Sequence, residues 1–243
     1  MMKAALVTGA ARRIGAEIAR RLHAAGYNIV LHYHRSAVDA EALCHELNAT
    51  RADSVRLLRA DLLEIGKLSE LVRQAAEFWD GLDVLVNNAS GFYPTPFGMI
   101  AEAQWDDLLG SNLKAPFFLA QAASPFLRKR KGCIVNIGDI YAEHPLKDYS
   151  VYSLAKAGLV AMTRALAKEL APDIRVNGVA PGAILWPEHD VDIAKQAEIL
   201  ARIPMKRAGD VSDIARAVVF LVEDAPYVTG QMLSVDGGRS LIS

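Results

Sequence analysis

A doubly wound α/β fold, with seven parallel strands in one sheet and helices on both faces, is what this sequence predicts. Three features predict it. Short, β-rich apolar runs alternate with longer stretches of helical period from one end of the chain to the other. A glycine-bearing turn, Thr8 to Gly15, leads from the first apolar run straight into the first helical stretch. No internal repeat, low-complexity linker or shift in composition divides the 243 residues, so a single domain over residues 1–243 is expected.

The strands are read at Ala4–Thr8, Asn28–Tyr33, Val55–Ala60, Val84–Asn87, Ile134–Gly138, Arg175–Ala180 and Met232–Val235. The first helix runs from about Arg13 to Ala25: Ile14, Ile18, Ala19 and Leu22 share one face, and Gly26 supplies its C-terminal stop. Later helices cover roughly Val38–Asn48, Lys67–Trp79, Ala103–Phe118, Val151–Leu170 and Asp213–Val222, the last with Ser212 as its cap. Two stretches fit the alternation poorly, Gly91–Gly98 (with Ser90 just before it) and Ala183–Pro204. Both leave the carboxyl ends of strands, where open parallel sheets bind ligands, so residues 90–98 and 183–204 are expected to wall a pocket.

Composition narrows the class further. With 27 Lys and Arg against 28 Asp and Glu, the net charge of −1 gives no electrostatic case for nucleic acid or a membrane surface. Cys44 and Cys133 stand apart, without C-x-x-C spacing, and read as ordinary thiols in a reducing compartment. The apolar run Ala4–Val7 is too short for a signal-peptide core, and no segment approaches a membrane span. A soluble, cytoplasmic protein is expected. The six histidines show no paired metal spacing, and no metal is expected. His45, His144 and His189 read as surface positions, and the basic cluster Arg128–Lys131 reads as a helix end complementing the macrodipole.

Glycines at a strand-to-helix turn let the backbone approach a pyrophosphate, which then rests on the partly positive helix N-terminus. The run holding Gly9, Arg12, Arg13, Ile14 and Gly15 has that context. The end of the second strand bears on which dinucleotide. An NAD site places Asp or Glu there for the ribose hydroxyls, whereas a 2′-phosphate needs cations and donors. Here His34, Arg35 and Ser36 follow the strand, and the next carboxylate is Asp39. NADPH/NADP+ is the cofactor this favours. Asp61, ending the third strand, reads either as an adenine contact or as a helix cap.

Tyr152 and Lys156 lie four apart on a predicted helix, so both project from one face, about 6 Å apart at Cβ. A phenol near pKa 10 is a poor proton donor at neutral pH. A cation about 6 Å away at an effective dielectric near 20 contributes ~3 kcal/mol, or about two pKa units, and would bring it down.

With those residues in view, the sequence resembles the short-chain dehydrogenase/reductase family over nearly its whole length. Thr8-Gly9…Gly15, Asn87-Asn88-Ala89, Asn112, Tyr152-x-x-x-Lys156 and Pro181-Gly182 occur in the family's order. The resemblance implies a Rossmann-type fold, Tyr152 as proton donor, Lys156 on the nicotinamide ribose, and Asn112 supporting a proton relay. It also implies cofactor contacts from Asn88, Ala89, Ser90, Tyr152, Lys156, Pro181 and Gly182. A homotetramer is implied too, with the helices around Ala103–Phe118 and Val151–Leu170 in its interfaces.

Three departures from the family pattern resemble the pteridine reductases. Arg13 stands where many members carry the middle glycine of the first turn, and Asp139 stands thirteen before the tyrosine in place of a serine. Asn88-Ala89 continues as Ser90-Gly91-Phe92-Tyr93-Pro94. His34-Arg35-Ser36-Ala37 shares this resemblance. A pterin is planar and rich in donors and acceptors, so Phe92 can stack on it and Arg13 can bond its edge. Arg13, Ser90, Phe92, Asp139 and Tyr152 are the expected substrate contacts. Reducing a ring C=N bond needs a proton at nitrogen, and a carboxyl at 139 can relay one where a serine could only hydrogen-bond. Each of the three also has a plain structural reading: a solvated helix residue for Arg13, loop packing for Phe92, a strand-end carboxylate for Asp139. The expected activity is NADPH-dependent reduction of a dihydropterin, oxidised pterin or dihydrofolate. The alternatives are a carbonyl or 3-oxoacyl reductase of the same fold and a non-catalytic NADPH sensor. Gly91, where some relatives carry a second serine, and the 183–204 stretch leave the physiological pterin open. Trp186 reads either as a pocket wall or as a lid anchor.

Overall fold

The computed structural model describes residues 2–184 and 193–242. Its backbone is one sheet of seven strands, all paired in parallel. The strands are β1 (Ala4–Val7), β2 (Asn28–Tyr33), β3 (Val55–Arg59), β4 (Val84–Asn87), β5 (Cys133–Ile137), β6 (Arg175–Pro181) and β7 (Met232–Val235). They lie in the order β3-β2-β1-β4-β5-β6-β7. The helices are α1 (Arg13–Ala24), α2 (Ala37–Thr50), α3 (Leu68–Glu77), α4 (Glu102–Leu109), α5 (Ala115–Arg130), α6 (Ser150–Leu170), α7 (Ile193–Arg202) and α8 (Val211–Glu223). This is the doubly wound Rossmann-type fold the alternation predicts.

The central strands are buried on both faces, which is why β1 and most of β2 and β4 read as apolar runs, whereas the edge strands β3 and β7 are partly exposed. In β1 the alternate residues Ala5 and Val7 join a core with Ile18 and Leu22 of α1 and Ile214 and Val218 of α8. Leu6 points the other way, into a second core with Val72 of α3 and Leu119 and Leu127 of α5. Strand order reverses between β1 and β4, and a ligand crevice opens beyond the carboxyl ends of the strands at such a switch point.

Local structure departs from the sequence expectation in three places. The expected helix Ala103–Phe118 is three pieces: α4, a π-helical turn at Gly110–Lys114, and α5, which continues to Arg130. Ser212 does not cap α8. Asp210 does, accepting the Ser212 N–H at 2.8 Å while Asp213 accepts the Asp210 N–H at 2.9 Å. A reciprocal pair of carboxylates satisfies two free N–H groups, and the hydroxyl at position 212 is left inside the first turn. The stretch 183–204 contains α7 rather than loop throughout. Among the described residues no helix is long and apolar enough to cross a membrane.

Candidate active site

A cleft of about 1460 Å³ runs from the β1–α1 turn, past the ends of β2 and β4, to the start of α6 and the C-terminal turn. At one end the glycine-bearing turn is fixed by the sheet. Thr8 Oγ accepts the N–H groups of Asn88 and Ala89 at 2.9 and 3.1 Å, and Asn88 Nδ2 donates to the carbonyls of Thr8 and Gly9 at 2.8 and 3.0 Å. Packing this close demands glycine. A Cβ on Gly15 would lie 2.4 Å from the Gly9 carbonyl oxygen, and one on Gly9, at φ +59°, would lie 2.9 Å from the Ala89 Cα.

Sequence reasoning missed the pillar of this turn, His32. Its buried ring accepts the Gly9 N–H at Nδ1 and donates from Nε2 to the Ala60 carbonyl, both at 3.2 Å. Burial pushes its pKa down to about 4, so the ring is neutral and its tautomer is set by its two partners. Nothing in the sequence distinguished it from the neighbouring His34.

The fit of this end to a dinucleotide can be tested on the donor set. α1 begins with no side-chain cap on its N–H groups and no acidic residue in its first turn. Free amides beside Arg12 and Arg13 at a cleft wall match a pyrophosphate. Arg13 adopts φ +56°, a left-handed conformation costing a non-glycine residue about 1 kcal/mol or more, which explains why glycine is common at this turn. Arg35 is exposed at the cleft and makes no ion pair among the described residues, and the Ser36 hydroxyl does not cap α2. Asp39, the nearest following carboxylate, is drawn to Arg12 at 3.6 Å. Asp61 lines the cleft, accepts the Leu63 N–H at 3.0 Å and faces His34 Nε2 at 3.8 Å. Pro181 and Gly182 close the opposite wall, with the Gly182 N–H on the Val235 carbonyl at 3.1 Å.

At the other end, Tyr152 and Lys156 share one face of α6, both buried at 3% exposure. Tyr152 Oη donates to Asp139 Oδ2 at 2.7 Å, and Lys156 Nζ donates to the Ile137 carbonyl at 2.9 Å, 5.6 Å from the Tyr152 ring centroid. Asp139 caps the short helical turn Ile140–Ala142, its Oδ1 accepting the Tyr141 N–H at 2.9 Å. Burial raises the Asp139 pKa against those hydrogen bonds and against the charges of Lys156 and Arg239. Burial also pushes Lys156 down to about 8, partly offset by Asp139.

The expected depression of the Tyr152 pKa is not found. Burial, then the Asp139 carboxylate at hydrogen-bond distance, drive the phenol upward, and Ser90 is the neighbour that opposes them. The sequence estimate weighed Lys156 alone, whereas the charge in direct contact is the carboxylate.

Asn112 lies beside this end of the cleft. It is buried in the π-helical turn, accepts from Ser90 Oγ at 2.6 Å and donates to the Gly91 and Leu108 carbonyls at 3.0 and 2.9 Å. It holds the 90–91 backbone, and its partner Ser90 is also a neighbour of the Tyr152 phenol. The wider turn presents its amide to the carbonyl of Leu108, four residues back.

Phe92 hangs over this end, half exposed, stacked on Tyr149 (centroids 4.6 Å, planes 20° apart) and edge-on to Tyr152 (4.8 Å, 77°). Tyr149, Tyr141 and Arg239 are cleft residues that sequence reasoning did not single out. His45 and His144 are exposed. Trp186 and His189 lie outside the described residues.

A phenol, a lysine on the next helical turn and a strand-end carboxyl thus meet at one end of the cleft. The sequence family described as enoyl-(acyl carrier protein) reductase matches residues 9–240. The chain belongs to the short-chain dehydrogenase/reductase family. It is an oxidoreductase, and reductases of this family take a nicotinamide cofactor. Pteridine reductase 1 of Leishmania tarentolae is 39% identical, over 98% of this chain and 96% of its own. The 3-oxoacyl-[acyl-carrier-protein] reductase FabG of Staphylococcus aureus is 38% identical, with 98% of each chain covered. FabG of Staphylococcus epidermidis is 37% identical, over 98% and 99%.

Proposed function

We propose that this short-chain reductase uses NADPH to reduce a pterin, with a dihydropterin as the preferred substrate. The observation that carries the reading is the Asp139 carboxyl on the Tyr152 phenol, at 2.7 Å, beneath Phe92. Overall identity does not separate the pteridine reductase from the 3-oxoacyl reductases, so the local chemistry has to.

The α1 N-terminus with Arg12, Arg13 and Ile14 would hold the pyrophosphate. His34, Arg35 and Ser36 would hold a 2′-phosphate, and Lys156 the nicotinamide ribose. Asn88, Ala89, Ser90, Pro181 and Gly182 complete the cofactor wall. When bound, NADPH supplies the hydride. Tyr152 gives the proton to the ring nitrogen, and Asp139 replaces it. Were Asp139 ionised, that transfer would leave a phenolate against a carboxylate, two like charges in a buried site. The reductive direction therefore runs from protonated Asp139, which the burial of that carboxyl favours. Activity on this reading falls as pH rises through the Asp139 pKa. Arg13 and Ser90 border the same space and would orient the substrate edge.

The second reading, reduction of a ketone or 3-oxoacyl thioester, is favoured by the FabG relatives. A polarised carbonyl calls for a neutral hydrogen-bond donor, which an ionisable carboxyl supplies only when protonated. Oxidation of NADPH and of NADH should be compared side by side with dihydrobiopterin, dihydromonapterin, dihydrofolate and a model ketone. The expected result is dihydropterin turnover preferring NADPH, and an Asp139→Ser variant losing about 10²-fold in kcat while NADPH binding holds. Ketone turnover without dihydropterin turnover would overturn the reading.

The same proposal includes a cytoplasmic homotetramer. The unpaired Cys44 and Cys133 fit a reducing compartment, and Trp105, Phe117 and Leu154 are exposed on α4, α5 and α6, the helices expected at the interfaces. A monomer by size-exclusion with light scattering would reject it.

A further inference from the structure

We infer that Arg239 is a positioning residue for proton transfer: held at the cleft by the C-terminal turn and by the Tyr141 hydroxyl, its charge acts on the Asp139 carboxyl. The inference rests on the reading of Asp139 as the proton source.

Arg239 lies a hundred residues from Asp139 in the chain, and a compact turn after β7 brings it to the same wall. The Asp236 carboxylate fixes that turn by accepting the Gly238 and Ser240 N–H groups at 2.9 and 2.7 Å. From there Arg239 Nη2 donates to Tyr141 Oη at 3.1 Å. Tyr141 is also the residue whose N–H holds Asp139 Oδ1, and Asp139 Oδ2 takes the Tyr152 phenol. Tyr141 thus meets Arg239 through its hydroxyl and Asp139 through its backbone N–H, and Arg239, Tyr141, Asp139 and Tyr152 all line the cleft.

The groups facing Asp139 are Tyr152 and Lys156 from α6, Tyr141 from its own turn, and Arg239 from the C-terminus. Lys156 is buried and tied to the Ile137 carbonyl. Arg239 is half-buried and makes no ion pair among the described residues. A permanent cation on a poorly solvated wall favours the ionised carboxyl, opposing the burial that favours the neutral one.

The test uses the full-length protein with Arg239→Met, Arg239→Lys and Tyr141→Phe. The Asp139 titration is followed by carboxyl carbon NMR of the free enzyme, and the pH profile of kcat/KM is measured with dihydrobiopterin and NADPH. In Arg239→Met the titration and the falling limb of the profile should both move upward, by about half a pH unit. Arg239→Lys should restore most of the shift, and Tyr141→Phe should move it the same way by less. An unmoved titration in Arg239→Met overturns the inference. So does a raised KM with the titration unmoved, which would make Arg239 a substrate contact. A shifted titration in a protein that turns over no dihydropterin would leave the coupling standing and remove the pterin reading instead.

Discussion

His32 is a buried titratable side chain beneath the glycine-bearing turn, and Asp139 is a partly buried one beside Tyr152 at the other end of the cleft. The fold treats them in opposite ways. His32 has a backbone partner at each ring nitrogen and is held neutral, its pKa pushed down to about 4. It fixes the shape of the Gly9 turn and carries no charge across the neutral range. Asp139 has one oxygen on a backbone N–H and the other on a phenol, and its pKa is moved up, toward that range. A dinucleotide is recognised by backbone geometry, which a neutral strut preserves. A ring nitrogen is protonated by a side chain, which has to change its charge to act.

The largest expected effect falls on the substrate end. Tyr152→Phe removes the hydroxyl that meets Asp139 and should lower kcat by about 10³-fold, within the range for losing a positioned acid. Because Lys156 keeps its bond to Ile137, NADPH affinity measured by fluorescence titration should persist in the variant. Retained kcat would move the proton source away from Tyr152.

His32 predicts a change in stability instead. Its pKa is lowered on folding from the ordinary 6.5 to about 4, so between those values the unfolded chain binds a proton that the folded one refuses. Its contribution to stability is whole above pH 6.5, declines as pH falls to 4, and amounts to on the order of 3 kcal/mol. Urea denaturation across that window should give a steeper loss for the wild type than for His32→Gln. Equal slopes would mean that His32 is not the strut of the cofactor end.

The contrast also explains what could be read in the sequence. The sheet was legible because a strand buried on both faces must be apolar throughout, as Ala4–Val7 and Ile29–Leu31 are. The glycine turn and the Tyr152/Lys156 spacing were legible because backbone approach and helical period are local properties. Tyr149, Tyr141 and Arg239 were not, since their place at the cleft depends on a loop and a C-terminal turn folding onto β5 and α6. Asn112 was visible as a motif, but the π-helical turn that aims it at Gly91 leaves no period in the sequence. α7 did offer a signal, the helical spacing of Ile193, Ala197 and Leu200, which the expectation of a substrate loop overrode. The upward shift of Tyr152 was missed for a related reason: a pairwise estimate from a four-residue spacing sees the nearest cation on the helix and not a carboxylate arriving from the adjacent strand.

The smallest expected effect concerns Phe92, and its size follows from the free protein. Phe92 already has one face on Tyr149 at 4.6 Å, so a flat substrate that stacks on it either uses the other face or displaces Tyr149. The net gain is one aromatic contact rather than a full sandwich, about 1 kcal/mol, or roughly a fivefold rise in KM for a dihydropterin in Phe92→Ala. Kcat should change little, because the Tyr152–Asp139 bond does not pass through Phe92. Tyr149→Ala sharpens the point, since removing the competing ring should leave the dihydropterin KM unchanged or lower it. An equal rise in KM for a dihydropterin and for an aliphatic ketone in Phe92→Ala would show that the ring shapes the cleft without stacking on the substrate.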